Sequence, residues 1–135
     1  MSELVRQRPY GNSDATFAAL YRCAAMRIEH IDCGLAVHGE FDAAEVDPFE
    51  AALQEALLAT SGAFLLDLSG LDFMDSSGVN AILRTRALLG REERSLGVIC
   101  PPGAPRRVLD VIGVTDVLTL FATRDEADAA LVPPR

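Results

Sequence analysis

The chain reads as a single α/β domain, with a mixed sheet of about five strands and about four helices packed against it. Three observations predict this. Apolar segments with strand character alternate with segments of helical spacing, in the order strand, strand, helix, strand, helix, strand, helix, strand, helix. The first two strands are separated only by a turn signal from Asp32 to Gly34, which predicts a hairpin. The later strand–helix–strand units call for right-handed crossovers and so for parallel strands. At 135 residues, half of them apolar, the chain has material for one domain with a real core.

Taken in order, residues 1–12 show no period, and residues 13–21 fit either a short helix or irregular chain. Residues 25–32 alternate, with Met26, Ile28 and His30 on one side and Arg27 and Glu29 on the other. A second strand runs from Cys33 to His38 and ends at Gly39-Glu40-Phe41-Asp42. In the helix that follows, Asp47, Pro48 and Glu50 fit an N-cap, a first-turn proline and a capping-box acid, though a start near Ala43 is also open. Its inner face is Val46, Phe49, Leu53, Ala56 and Leu57, and Ser61-Gly62 stops it.

Residues 63–68 are apolar nearly throughout, as in a strand covered on both faces. Ser69, Gly70 and Asp72 supply turn chemistry. Asp75-Ser76-Ser77-Gly78 then opens a second helix, with Val79, Ile82, Leu83 and Ala87 at helical spacing and Gly90 as its stop. Residues 95–100 are a further strand, ended by Pro101-Pro102-Gly103. Pro105 opens a short helix with Val108, Leu109 and Ile112 inward and Gly113 as its stop. Residues 117–121 are the last strand, and Thr123 with Glu126 makes a capping box for the last helix, with Ala127, Ala130 and Leu131 inward.

Composition narrows the function. No apolar run reaches the roughly 18 residues of a membrane span, and the polar start lacks a signal's apolar core, so a cytoplasmic protein is expected. Cys23, Cys33 and Cys100 have no metal or disulfide spacing, and His30 and His38 lack ligand-spaced partners. No metal or other cofactor is expected. The chain contains no lysine, which removes the phosphate-loop lysine, Schiff-base chemistry and the lysine of receiver domains. A net charge of −8 argues against nucleic acid. Between Arg27 and Arg84 there is no basic residue other than histidine, while acids accumulate toward the Asp75 turn. This is either ordinary solvated surface or an acidic face for a basic partner.

The Asp75 turn is where chemistry concentrates. A serine there presents its hydroxyl at the positive end of a helix, suited to accepting a phosphate, and Gly78 would keep the backbone approachable. Helix capping alone also accounts for Asp, Ser and Gly at such a place.

The segment LDLSGLDFMDSSGVNAIL, with GEFD upstream and PRRVLDVIGVTDVL downstream, resembles the STAS family, specifically bacterial anti-sigma factor antagonists of the SpoIIAA type. The resemblance implies a STAS domain over 24–132 behind a leader, 1–23, that the family's smaller members lack. It makes Ser76 the phosphoacceptor, flanked by Asp75, Ser77 and Gly78. Asp75 would orient or polarise the site, and Ser77 would be a cap. Glu40, Asp42, Asp72, Met74 and Asn80 become partner-binding residues. The implied partners are an anti-sigma factor with serine kinase activity and a serine phosphatase acting on phospho-Ser76, with no nucleic acid or membrane. The expected state is a monomer or weak homodimer. The unmodified protein would hold the anti-sigma factor and free a sigma factor, and phosphorylation would end that binding. No catalysis by the chain itself is implied.

Other STAS domains do not switch: they serve as adaptors of lipid-transport ABC systems or as stress-signalling scaffolds, and that alternative stays open. A hydrolase with Ser76 as nucleophile lacks a G-x-S-x-G elbow and a histidine outside the opening hairpin. A phosphoaspartate receiver would use Asp67 at a strand end, without the lysine it needs.

Overall fold

The computed structural model describes residues 26–131, so the expected leader, the alternatives for residues 13–21 and the end of the chain at 132–134 lie outside the described residues. Five strands form one sheet in the order β1-β2-β3-β4-β5: β1 (Met26–Ile31), β2 (Gly34–Phe41), β3 (Phe64–Met74), β4 (Leu96–Ile99) and β5 (Thr119–Phe121). The first pair is antiparallel, closed from Ile31 to Gly34, and the other three pairs are parallel. Four α-helices follow the strands: α1 (Val46–Ala59), α2 (Ser76–Arg91), α3 (Ala104–Ile112) and α4 (Arg124–Leu131). The expected mixed sheet and the order of elements are what the chain adopts.

Each crossover adds its strand on the same side of the last, so crossovers of one hand bring α1, α2 and α3 to one face. The main core lies there. It joins Leu35, Val37 and Phe41 of β2 and Leu66 and Leu68 of β3 to Phe49 and Leu53 of α1, Ile82 of α2 and Leu109 of α3. The rings of Phe41 and Phe49 meet with centroids 5.0 Å apart. On the opposite face α4 covers Leu65 and Ile99 with Ala127.

Several elements differ from the sequence expectation. β2 continues through Gly39-Glu40-Phe41, and β3 continues through Ser69, Gly70 and Asp72 to Met74. Pairing with β2 carries these turn-type residues, at the cost of two irregularities. The register jumps from Ala36↔Asp67 to His38↔Gly70, and again from Gly39↔Leu71 to Glu40↔Phe73. Each inserts one extra residue on β3, as a bulge does. Gly39 takes φ +95° at the second, where a side chain would be strained.

Asp47 does not cap α1. A single 3-10 turn, Ala43–Glu45, precedes the helix, and Asp42 caps that turn by accepting from the Ala44 N–H at 3.0 Å. His30, Ala87, Ile112 and Ala130 face solvent, while Thr85 and Leu89 take inward places on α2. The Gly113 stop has φ +87°, and Thr123 and Glu126 make their cap, with Thr123 Oγ1 accepting from Glu126 N–H at 3.2 Å and Glu126 Oε1 accepting from Ala122 N–H at 3.0 Å.

Gly90 is not the stop of α2. The helix runs to Arg91, and the left-handed position after it falls to Glu93 at φ +59°, with Arg94 N–H closing onto Leu89 C=O at 2.9 Å. A Cβ on Gly90 would meet nothing within 4 Å. Gly90→Ala is therefore expected to stabilise the fold by about 0.5–1 kcal/mol, read as a higher midpoint in urea denaturation with unchanged slope. A lower midpoint would contradict the helical reading of this position.

Candidate functional site

The Ser76 turn sits where β2 and β3 end side by side. Phe41 pairs with Met74, and Asp75 N–H donates to Phe41 C=O at 3.2 Å. The chain then enters α2 directly. Asp75 is the N-cap: its Oδ1 accepts from Ser77 N–H at 2.9 Å and from Gly78 N–H at 3.4 Å. Losing such a cap costs about 0.5–2 kcal/mol. Asp75 rather than Ser77 is thus the cap, and its oxygen is committed to backbone. Ser76 occupies the first helical position with its side chain exposed and outside that cap, and Ser77 is half-buried behind it.

Gly78 serves a different purpose from the one its sequence position suggests. It faces inward. A Cβ there would lie 2.6 Å from Met74 Cγ and 3.1 Å from Phe41 Cγ. Glycine lets α2 start close against the two strand ends, so the turn is held from within. Met74 is itself buried, with 1% exposure, and works from beneath the surface.

The other sequence-identified residues divide. Glu40 and Asp72 are exposed near the ends of β2 and β3, and Asp42 is half-buried as the cap of the 3-10 turn. The pairing of Glu40 with Phe73 brings these three acids to the same end of the sheet as Asp75. Asn80 is exposed one helical turn after Ser76, on the same side of α2. No histidine converges on the hydroxyl. His30 Nε2 lies 3.7 Å from Glu55, and His38 Nε2 lies 3.2 Å from Glu29 with its ring over Gly70. Asp67 does not end a strand; it lies inside β3, accepting from both the N–H and the hydroxyl of Ser69. Among the described residues no cluster of His, Cys, Asp or Glu could hold a metal ion, and no helix is long and apolar enough to cross a membrane.

Sequence reasoning passed over Glu45. It is buried in the 3-10 turn beside this acidic rim, and desolvation first, then the Asp42 charge, raise its carboxyl above the ordinary value. A raised acid binds its proton more tightly in the folded state. Its stabilising contribution is complete below the unfolded-state value and is lost as pH rises through the folded one. Glu45→Gln is expected to be more stable than the parent at pH 7 and to lose the gain the parent shows on acidification toward pH 5. Urea denaturation of both chains at the two pH values checks this; parallel pH dependence would contradict it. The only hint in the sequence was a second acid within a turn of Asp42.

A second feature borders the turn. Phe73 is 46% exposed, and across from it α3 shows Val111 at 86% and Ile112 at 44%. Between them runs an open groove of about 470 Å³ whose wall includes Met74, Val108 and Arg107. Four of α3's nine residues are large aliphatics, more than the single stripe buried by Leu109 can use. That surplus was the available signal.

Comparison with known proteins follows the same lines. The family model described as "Mlab, STAS domain" matches residues 24–120. The anti-sigma-F factor antagonist RsfB of Mycobacterium tuberculosis is 27% identical over 93 residues, which cover 69% of this chain and 75% of RsfB. The crystal structure of an anti-sigma factor antagonist from Mycobacterium paratuberculosis superposes with a TM-score of 0.70 at 27% identity, covering 80% of this chain and 93% of that one. SpoIIAA in its unphosphorylated form shares the fold, with a TM-score of 0.58 at 21% identity over 82% of this chain and all of SpoIIAA, 100%.

Proposed function

The chain belongs to the STAS domain family, and from that footing we propose that it is an anti-sigma factor antagonist switched by phosphorylation of Ser76. The observation that carries the proposal is the placement of Ser76: an exposed hydroxyl at the first position of a helix, outside the Asp75 cap and on an acidic rim. The relatives named as anti-sigma factor antagonists support the partner class. In this reading the unmodified turn, with Glu40, Asp42, Asp72 and Asn80 around it, docks on an anti-sigma factor and frees a sigma factor. The anti-sigma factor, of the histidine-kinase-like ATP-binding fold, transfers the γ-phosphoryl group of ATP to Ser76 Oγ; the Oγ–P bond forms as the bond to ADP breaks, ADP leaves with that bond's electrons, and the hydroxyl proton passes to a base of the kinase or to water. A serine phosphatase hydrolyses the ester and restores binding. The chain is a regulator and receives this chemistry; among the described residues no side chains are arranged to perform it.

The physical logic is local. A phosphate adds about −1.5 to −2 charge and three acceptor oxygens. The helix N-terminus tolerates that anion, so the fold survives. The partner instead meets new bulk and charge next to Asp75.

The test is incubation of the purified chain with ATP and, one at a time, the host's histidine-kinase-like anti-sigma factors, followed by phosphosite mapping. Phosphate on Ser76, absent in Ser76→Ala, supports the switch. The other reading, a non-switching module such as an adaptor of a lipid-transport ABC system, predicts stable binding to a transporter ATPase and no modification.

A further inference from the structure

We infer that the groove between Phe73 and α3 is the second half of the docking surface, and that it takes an amphipathic helix of the same partner that meets Ser76, with aliphatic side chains in the groove and a carboxylate on Arg107. This rests on the reading of the Ser76 turn as partner-facing and extends it to residues on another element.

Four observations carry it. The apolar surface here is contiguous: Phe73, Val111 and Ile112 stand exposed around one depression, and such patches on soluble domains mark interaction sites. The groove is open along its length, with Val111 at 86% exposure. A small ligand would be buried on too few sides, whereas a helix laying one face into a groove is suited to it. Charge selects the occupant. Arg107 stands at the edge with no carboxylate paired to it among the described residues, while its neighbour Arg106 lies 3.8 Å from Asp110. An acidic group on the incoming helix would meet Arg107.

Continuity joins the groove to the switch. Met74 lines the groove, its Cγ is the atom packed closest over Gly78, and Ser76 follows two residues later. The groove therefore opens beside the strand end from which the Ser76 turn emerges. The docking surface is bipartite: an acidic rim that phosphorylation reinforces and an apolar arm beside it.

The test measures affinity of the full chain for each purified histidine-kinase-like anti-sigma factor of the host, by titration calorimetry. The chains are the parent, Val111→Asp, Arg107→Glu, Ser76→Asp and Leu58→Asp. Leu58 is 89% exposed on α1 and is not part of the groove, so it reports the effect of placing a charge on any exposed apolar residue. Val111→Asp is expected to weaken binding about tenfold or more and Arg107→Glu about three- to tenfold, with Leu58→Asp unchanged. If Ser76→Asp weakens binding while both groove variants bind like the parent, the groove inference is overturned and the switch stands. If the groove variants weaken binding and Ser76→Asp does not, docking survives and the switch at Ser76 falls. Failure of the parent to bind any anti-sigma factor overturns both. Unchanged partner affinity for Val111→Asp, together with conversion of a dimer to a monomer in sedimentation, would make the groove a contact between copies of this chain and likewise overturn the inference.

Discussion

Ser76→Asp is expected to bind the anti-sigma factor ten- to a hundredfold more weakly than the parent while folding as well as it does. Both halves of that outcome come from the same position. Ser76 opens α2, where the helix dipole favours a negative charge by about 0.3–1 kcal/mol. The side chain is exposed and outside the cap, so a carboxylate costs no burial and breaks no hydrogen bond of Asp75. Thermal stability should stay level or rise slightly. Binding responds to a different environment. The charge joins Glu40, Asp42, Asp72 and Asp75 at one end of the sheet. Against a partner site holding nucleotide phosphate, repulsion and desolvation of about 1.4–2.8 kcal/mol give the stated loss. Salt separates this from a misfolding artefact: raising ionic strength screens exposed charges and should narrow the gap between variant and parent. Ser76→Ala should keep parental affinity and refuse phosphate. If Ser76→Asp and Ser76→Ala both bind as the parent does, Ser76 is not the switch.

How far the sequence reaches depends on whether a feature is encoded locally. The Thr123–Glu126 cap and the Gly113 stop were legible because each is a short-range contract between neighbouring residues and the backbone. The Ser76 turn was legible for the same reason, since a cap, an exposed hydroxyl and a helix start lie within a few residues. The continuation of β3 through Ser69, Gly70 and Asp72 was not. Locally those residues favour a turn; what holds them extended is the neighbouring strand β2, remote in sequence, and the misfit is absorbed as two bulges. Of the two helix starts the sequence offered, the one near Ala43 is adopted rather than Asp47, with Asp42 as its cap and the Phe41 and Phe49 rings packed together.

The site shows the same division. Gly78 looked like an opening for the partner because a sequence records only the missing side chain, not what fills the space; Met74 and Phe41 fill it from inside. Glu45 and Ile112 were hidden for opposite reasons. A buried acid is unusual enough that composition places it outside, and a large aliphatic on a short helix is ordinarily placed inside. Residues that break the common rule are where pattern reading fails, and here they border the proposed docking surface.

Gly34→Ala should cost the fold at least about 3 kcal/mol, the upper part of what overpacking costs, even though it adds one methyl group. Gly34 starts β2 and pairs with Leu65 of β3. An added Cβ would overlap the Leu65 carbonyl oxygen and lie 2.8 Å and 2.9 Å from the carbonyl carbon and nitrogen. All three are backbone atoms, so no rotamer change relieves the contact. One of the two central strands must move. Leu65 N–H donates to Cys33 C=O at 2.9 Å beside the same spot, and Leu65 and Leu66 face the two cores from adjacent positions. Displacement would therefore loosen packing on both faces. Domains of this size hold about 5–15 kcal/mol of net stability, so the loss is a large share of it. The effect should reach function through the strand ends. Ser76 is held by the Phe41–Met74 pairing at the far end of the same two strands, and loosening their register would lower phosphate incorporation without touching the turn. Gly90→Ala, the same chemical change in open space, is expected to act with the opposite sign. Urea denaturation of the two variants beside the parent provides the measurement, and a Gly34→Ala midpoint within about 0.5 kcal/mol of the parent would show that β2 and β3 do not approach as closely at Leu65 as the fold requires.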